Sequence, residues 1–148
     1  MDHVSLKHFC DQYKPDLVFL SEPQIFHCDL SLLTPHFQGQ YSILLNSEEN
    51  ETPDLALDSM RSHGGTMVMW RADLDPYITP LTSPSSSFLP ILVNIPGYHP
   101  SIHVAIYLPT AGRNPEFISA LSLLDTFLQE AKLMYNCPIL GFLCSSCL

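Results

Sequence analysis

The sequence predicts an α/β fold, a layered α/β sandwich of mixed β-sheets flanked by helices. Residues 3–13 carry apolar side chains at helical spacing, and residues 17–20 (LVFL) form the short apolar run typical of a strand buried on both faces. Several further apolar runs follow, separated by proline and glycine turn signals. The hairpin-like connections between them favour mixed sheets over a doubly wound parallel sheet.

The elements of the first half can be justified in order. A helix over residues 3–13 ends at Lys14-Pro15, because proline disfavours the helical conformation of the residue before it. Strands are expected at 17–20, 41–45 and 66–70, with a short helix near 29–33. Residues 73–87 are rich in Pro, Ser and Thr and should form a hairpin-like or irregular connection. The prolines clustered between residues 76 and 100 should lie outside helices and central strands.

The second half repeats this pattern and ends with a long helix. Strands are expected at 88–95 and 101–107, on either side of the turn dipeptide Pro96-Gly97. Asn114 suits the N-cap and Pro115 the first turn of a helix over 115–135, which has one broad apolar face. A further strand should begin at residue 139.

Composition is that of one folded domain. The chain has 148 residues, of which 46% are hydrophobic and 14% charged, so wholesale disorder is excluded. No apolar run approaches the roughly 20 residues of a membrane span, and no secretory signal precedes the first helix, so we expect an intracellular protein, cytoplasmic or nuclear, with no membrane partner. The net charge of -9 argues against binding nucleic acid by bulk charge alone, but carboxylates are the ligands that Mg²⁺ prefers.

Two places in the sequence suggest chemistry. Glu22 directly follows the strand at 17–20, at the end where α/β sheets bind ligands. Tyr107 ends a strand, and Arg113 and Asn114 follow just before the long helix. An arginine fork suits phosphate oxygens, and a helix N-terminus favours anions. Taken alone, each pattern also fits an ordinary loop, with Glu22 as a cap and Arg113 on the surface.

Three segments in a fixed order carry a family resemblance. They are KPDLVFLSE (14–22), GGTMVMW (64–70) and IHVAIYLPTAGRN (102–114). Together they resemble the endonuclease/exonuclease/phosphatase family of metal-dependent phosphodiesterases. NPEF at 114–117 is most similar to the endonuclease domain of LINE-type (non-LTR) retrotransposons.

The resemblance implies a role for each candidate residue. Glu22 would bind Mg²⁺, and Tyr107 would be a catalytic residue near the scissile phosphate. Arg113 and Asn114 would bind the phosphate backbone, so DNA would be the partner. These residue types suit the chemistry, since a hard cation takes oxygen ligands and stabilises charge on a phosphate.

The departures from the family pattern are equally informative. In the family the strand after the long helix ends in GDFN, whereas here Gly141 is followed by Phe142 and Leu143. The family's first strand with its Asn, and the terminal Asp and His, also have no counterpart. We therefore expect an incomplete domain, the N-terminal part of the family fold, over residues 1–141, and a divergent tail over 142–148.

These departures predict an inactive, truncated copy of a retroelement endonuclease, because residues that act as a unit do not leave proportional activity behind. Mg²⁺ binding would then be doubtful and DNA binding weak. Two alternatives stay open: a still-active metal-dependent phosphodiesterase, and a non-catalytic interaction module. An incomplete sheet would also expose an unpaired edge through which the chain could self-associate.

Overall fold

The computed structural model describes residues 3–21, 30–46, 65–108 and 114–144, which contain both helices and strands. The elements in order are α1 (His3–Tyr13), β1 (Leu17–Ser21), α2 (Leu30–Phe37), β2 (Tyr41–Asn46), β3 (Thr66–Arg71), a 3-10 helix (Ala72–Tyr77), β4 (Ile78–Pro80), β5 (Phe88–Val93), β6 (Ser101–Tyr107), α3 (Asn114–Tyr135) and β7 (Ile139–Cys144).

The described strands form two sheets. Sheet 1 has the order β1-β3-β2 and is antiparallel throughout. Sheet 2 has the order β4-β5-β6-β7, and its β6–β7 pair is parallel whereas its other pairs are antiparallel. The parallel pair needs a crossover, and α3 supplies it. In sheet 1 the third strand lies between the first two, whereas in sheet 2 the strands follow one another in chain order.

The two sheets pack face to face, and helices cover both outer faces. Strand β3 is an unbroken apolar run because both of its faces are buried. Met67 and Met69 pack against α1 and α2, while Val68 and Trp70 face sheet 2. On the far side of sheet 2, Phe127 of α3 packs against the strands. The result is a four-layer sandwich of helices, sheet 1, sheet 2 and helix, and it confirms the predicted fold class.

Helices α1 and α3 end in the same way. The residue after each helix, Lys14 or Asn136, has a φ of 47°, the left-handed conformation of a helix C-cap. The N–H of Lys14 donates to the carbonyl of Cys10 at 2.9 Å, and that of Asn136 donates to the carbonyl of Lys132 at 3.1 Å. The helix stop predicted at Lys14-Pro15 is thus present.

Two sequence expectations need correction, and a third is made more precise. Residues 73–87 were expected to form a hairpin-like or irregular connection, and they contain most of the 3-10 helix and all of β4, a three-residue edge strand that pairs antiparallel with β5. Helix α2 is longer than predicted and continues through Pro35, because Leu33 and Phe37 both bury their side chains one turn apart.

Proline also occurs inside a central strand. Pro90 lies in β5, and its carbonyl accepts the N–H of Leu81 at 3.0 Å, just beyond the end of β4. The nitrogen of Pro90 is on the same side as this carbonyl, next to the end of β4, so the missing N–H removes no bond to β6.

Strand β7 runs through the position where the tail was predicted to begin. It starts at Ile139 and ends at Cys144, so the boundary after Gly141 falls within a strand. The division into a family-like part and a tail stays a prediction. None of the helices in the described part of the chain is both long and apolar enough to cross a bilayer.

Candidate functional site

The ends of β1 and β6, where the sequence predicts functional residues, lie at one rim of the sandwich. In sheet 1, Ser21 at the end of β1 is paired with Thr66 at the start of β3. In sheet 2, Tyr107 at the end of β6 is in register with Cys144 at the end of β7. The N–H of Tyr107 also donates to the carbonyl of Ser87 at 2.7 Å, which ties β6 to the segment before β5. We call this end of the sandwich the candidate rim.

Hydrogen bonds between the two sheets show that their ends are level at this rim. The Asn46 side-chain amide donates to the carbonyl of Ser85 at 2.9 Å, and the Thr66 hydroxyl donates to that of Ser86 at 3.4 Å. Thr66 is fully buried. Sequence reasoning did not single out these residues, although a threonine that opens an apolar strand after two glycines was a usable signal. Gly65, with a φ of 84°, makes the turn into β3 that a side chain would strain.

Of the predicted site residues, Tyr107 is the one whose side chain the structure describes. It lies at the rim as expected and is only 9% exposed. Glu22 directly follows Ser21, but it lies outside the described residues, as does Arg113. Asn114 is the first residue of α3, and its side chain is not described. The structure therefore brings the ends of β1 and β6 together, while the roles of these residues stay predictions.

A small cleft opens between β1 and β7 below this rim. Its volume is about 150 Å³. The rings of Phe19 and Phe142 stack across it with centroids 4.2 Å apart and nearly parallel planes. The lining is apolar except for one serine, and it includes Phe19, Leu20, Ser21, Ile106, Phe142 and Leu143. Such a lining provides no carboxylate for a metal and no cation for a phosphate.

A histidine extends this aromatic layer into the space between the sheets. The ring of His103 stacks near Phe142 and Phe19, with centroid distances of 5.8 and 6.2 Å. Its Nε2 is 3.0 Å from the hydroxyl of Ser101, and its buried Nδ1 has no hydrogen-bond partner. Burial lowers the pKa of His103 below its usual 6.5, so the ring is neutral at pH 7. The alternation of β6 was a signal for this inward position, since His103 shares a strand face with Tyr107.

The described residues do not form a metal site. Among residues 3–21, 30–46, 65–108 and 114–144, no three His, Cys, Asp or Glu side chains are close enough to hold one ion. Mg²⁺ requires oxygen ligands in near-octahedral geometry, and the described rim provides hydroxyls that already donate to backbone carbonyls. The described residues therefore do not supply the ligand set of the ion that the resemblance implies, and the implied ligand Glu22 lies outside them.

Charged groups gather instead at the opposite end of sheet 1. Arg71 forms ion pairs with Asp16, at 3.0 Å, and with Asp73, at 2.5 Å. The hydrogen bond with Asp73 raises the pKa of Arg71, and the hydrogen bond with Arg71 lowers the pKa of Asp73. Cys10 beneath them is buried, and burial raises the pKa of its thiol, so it is a packing residue and not a nucleophile. The ion pairs of Arg71 therefore link the end of β3 to the residue before β1 and to the 3-10 helix.

Sequence comparisons identify no relative: no family model matches the chain, and no curated protein matches it. Comparison of structures identifies proteins that share the fold. The catalytic domain of human Nocturnin, determined with a bound sulfate anion, superposes with a TM-score of 0.61 at 14% identity, over 95% of this chain and 55% of that one. TDP2 from Caenorhabditis elegans gives a TM-score of 0.53 at 12% identity, over 88% of this chain and 37% of that one.

A truncated form of Caenorhabditis elegans TDP2 gives nearly the same result, with a TM-score of 0.52, 13% identity and coverage of 88% and 49%. This chain thus spans about half, or less, of the length of the structures that it matches. At such low identity the likeness concerns the fold. The chain therefore shares its α/β sandwich fold with the Nocturnin catalytic domain and with TDP2, over part of the length of each.

Proposed function

We propose that this chain is a non-hydrolysing part of an endonuclease/exonuclease/phosphatase-type phosphodiesterase, derived from the endonuclease of a LINE-type retrotransposon. The shared fold supports the general class. The retroelement origin is supported by the sequence resemblance alone, above all by NPEF at 114–117 where α3 begins. Residues 1–141 would be the family-like part and 142–148 a tail of other origin.

One observation is the main support for the proposal that this chain does not hydrolyse phosphodiesters. Strand β7 runs parallel to β6 and ends at the candidate rim beside Tyr107. After Gly141 the family pattern has an Asp and an Asn, but here the strand continues with Phe142 and Leu143. Phe142 stacks on Phe19 and so belongs to the apolar layer between β1 and β7. The rim thus receives carbon side chains where the reaction needs oxygen ligands and hydrogen-bond donors.

A metal would have one implied protein ligand from this family pattern. Glu22 alone offers two oxygens, and the described residues add no cluster of ligands to it. A single carboxylate leaves Mg²⁺ almost fully hydrated and weakly held. We therefore assign no reaction step to a bound metal in this chain.

Binding to DNA is proposed to be weak. The sulfate bound to the Nocturnin domain resembles a phosphoryl group in shape and charge, which supports an anionic ligand for the fold. In this chain, however, acidic residues outnumber basic ones by 15 to 6. Two of the cations in the described part, Lys7 and Arg71, already pair with aspartates. Since affinity for nucleic acid comes mainly from neutralised phosphates, Arg113 and Asn114 would not hold DNA tightly.

The alternative is an interaction module that self-associates through a sheet edge. Strand β7 has one neighbour among the described strands, and Leu140, Phe142 and Leu143 are 48%, 41% and 60% exposed. An apolar edge of this kind is a template for pairing with another strand. This observation favours association over catalysis as the activity of the chain.

The test is a nicking assay on supercoiled plasmid with Mg²⁺ or Mn²⁺, analysed by gel electrophoresis. We expect no nicking above the metal-containing buffer, for the wild type and for Glu22→Gln. Glu130→Gln on the exposed face of α3 is the matched control, because it removes one carboxylate away from the rim. Nicking by the wild type and Glu130→Gln, but not by Glu22→Gln, would contradict the proposal and favour the active enzyme.

A further inference from the structure

A groove of about 470 Å³ lies between the C-terminal half of α3 and the segment that follows β4. Its base is apolar, because Phe127 and Ala131 of α3 turn towards sheet 2 and are only 9% and 4% exposed. Leu81 lines it from the segment after β4, and Met134 lines it from the helix. We call this space the α3 groove. Its size is that of small-molecule sites in proteins, roughly 300–1,000 Å³.

The wall formed by the segment after β4 is fixed by hydrogen bonds to β5. The N–H of Leu81 donates to the carbonyl of Pro90 at 3.0 Å, and the hydroxyl of Ser83 donates to the carbonyl of Phe88 at 2.6 Å. The lining residues lie within 81–84 and 123–135, and the structure describes these residues together with their chain neighbours on both sides. The groove is therefore already formed in the described part of the chain.

Glu130 is the charged residue among those that line the α3 groove. Within the described part of the chain, its carboxylate forms no ion pair. The hydroxyl of Thr126, one turn earlier in the groove, donates to the carbonyl of Ser122 at 3.0 Å and not to this carboxylate. The oxygens of Glu130 are thus available to accept hydrogen bonds from a ligand.

The charge of the chain and the aromatic lining both favour a positively charged ligand. A net charge of -9 attracts cations and repels anions over the whole surface. The rings of Phe127 and Tyr135 line the groove, and the face of an aromatic ring attracts a cation within about 6 Å of its centre. The rest of the lining is mainly apolar, so it matches the hydrocarbon part of the same ligand.

We propose that the α3 groove binds a small amphipathic amine. Its apolar part would lie against Leu81, Phe127 and Met134, and its ammonium group would donate to the carboxylate of Glu130, a charge-assisted hydrogen bond. A carboxylate or phosphate ligand of the same shape would meet a like charge instead. This site goes beyond the proposed function and does not depend on whether the chain hydrolyses phosphodiesters.

The test is an NMR titration of the full chain, with methyl-labelled methionine, against phenylbutylamine. The Met134 methyl signal, assigned with Met134→Leu, reports on the groove. We expect this signal to shift in a saturable way, with a dissociation constant on the order of a millimolar for a ligand of about a dozen non-hydrogen atoms. Phenylbutanol and phenylbutyrate have nearly the same apolar body. The uncharged alcohol should bind about threefold more weakly than the amine, and the anionic butyrate more weakly still.

Three variants locate the site. Glu130→Gln should abolish the preference for the amine over the alcohol. Asp125→Asn is the matched control, because it removes one negative charge from the same helix outside the groove, and it should keep the preference. Thr126→Trp should abolish binding of both ligands, since the larger side chain fills the groove. Thr126 is exposed, so circular dichroism should stay that of the folded chain.

Several results would overturn the inference. One is a Met134 signal that does not respond to the amine or responds equally to the butyrate, and another is a preference for the amine that survives Glu130→Gln. A Met134 signal of the free chain that moves on dilution would place a second copy in the groove and would also overturn it. The nicking assay reports on hydrolysis independently, so a failure of this inference is distinguishable from a failure of the proposed function.

Discussion

The interior of the sandwich and its candidate rim differ in the kinds of side chain that the structure describes there. The interior has apolar layers on both faces of each sheet, from the helices above sheet 1 to α3 below sheet 2. At the rim, Asn46 and Thr66 form hydrogen bonds to the segment before β5, and Phe142 and Leu143 are apolar.

The fold and the hydrolysis of a phosphodiester depend on different residues. The fold needs many apolar side chains of the right size and periodicity, and no single one of them is specific to a reaction. Hydrolysis needs a few polar groups held at one place, and replacing them leaves the layers intact. A chain can therefore superpose on the Nocturnin domain over 95% of its length while the described residues of its rim include no cluster of metal ligands.

The largest expected effect lies in the interior. Phe88 is 1% exposed and packs against Phe127 of α3 with ring centroids 5.4 Å apart. Phe88→Ala should lower the free energy of unfolding by about 3–5 kcal/mol, through lost burial and a cavity. Tyr98→Ala, at a residue that is 77% exposed, should change it by no more than about 0.5 kcal/mol. Urea denaturation measures both, and equal effects would mean that the layers do not carry the fold.

A buried polar contact should have the next largest effect. The indole N–H of Trp70 and the hydroxyl of Ser42 each donate to Asp75 Oδ1 at 2.6 Å. Asp75→Ala would leave the buried indole without this acceptor and should lower the free energy of unfolding by about 1–3 kcal/mol. Ser42→Ala should cost less, because its partner keeps the indole bond. The same urea titrations decide the order, and a larger loss for Ser42→Ala would contradict it.

The histidine between the sheets predicts a pH dependence of stability. Burial lowers the folded-state pKa of His103 below 6.5, so the unfolded chain takes up a proton that the folded chain does not. The free energy of unfolding should therefore fall as the pH drops below about 6.5. His103→Phe keeps a ring beside Phe19 and Phe142 and should remove that part of the decrease. If urea titrations at about pH 8 and about pH 5 give the same difference for both proteins, His103 is not responsible.

The smallest effect is expected at the charged end of sheet 1. Asp73 pairs with Arg71 in the open, so Asp73→Ala should produce a loss of stability near the error of a urea titration. What loss there is should shrink at high salt, because exposed ion pairs are screened. A loss comparable to that of Asp75→Ala would show that this end contributes to the fold as the interior does.

The sequence predicted the fold where burial and periodicity agree. The apolar runs at 17–20 and 66–70 become β1 and β3, and NPEF begins α3 as expected. It failed where tertiary contacts override local preference. Strand β4 exists because β5 pairs with it, although its surroundings are rich in proline and serine, and Pro90 is tolerated in β5 because its neighbour ends there. Local sequence does not determine which strands pair with each other.

The candidate site was predictable in part for a related reason. Tyr107 could be located because it ends an alternating strand that leads into a helix. The bonds that join the rim, from Asn46 and Thr66 to a segment 20 or more residues away, depend on how the sheets stack. Glu22 and Arg113 lie outside the described residues, and their roles stay predictions.

The central claim, an intact interior beneath a rim without hydrolytic chemistry, is tested most directly with a small activated phosphodiester. Hydrolysis of bis(p-nitrophenyl) phosphate in Mn²⁺ does not require DNA binding, so it separates lost chemistry from weak affinity. We expect the rate of hydrolysis with the wild type and with Glu22→Gln to equal that of the metal-containing buffer, while both proteins remain folded. Metal-dependent turnover by the wild type that Glu22→Gln abolishes would contradict it.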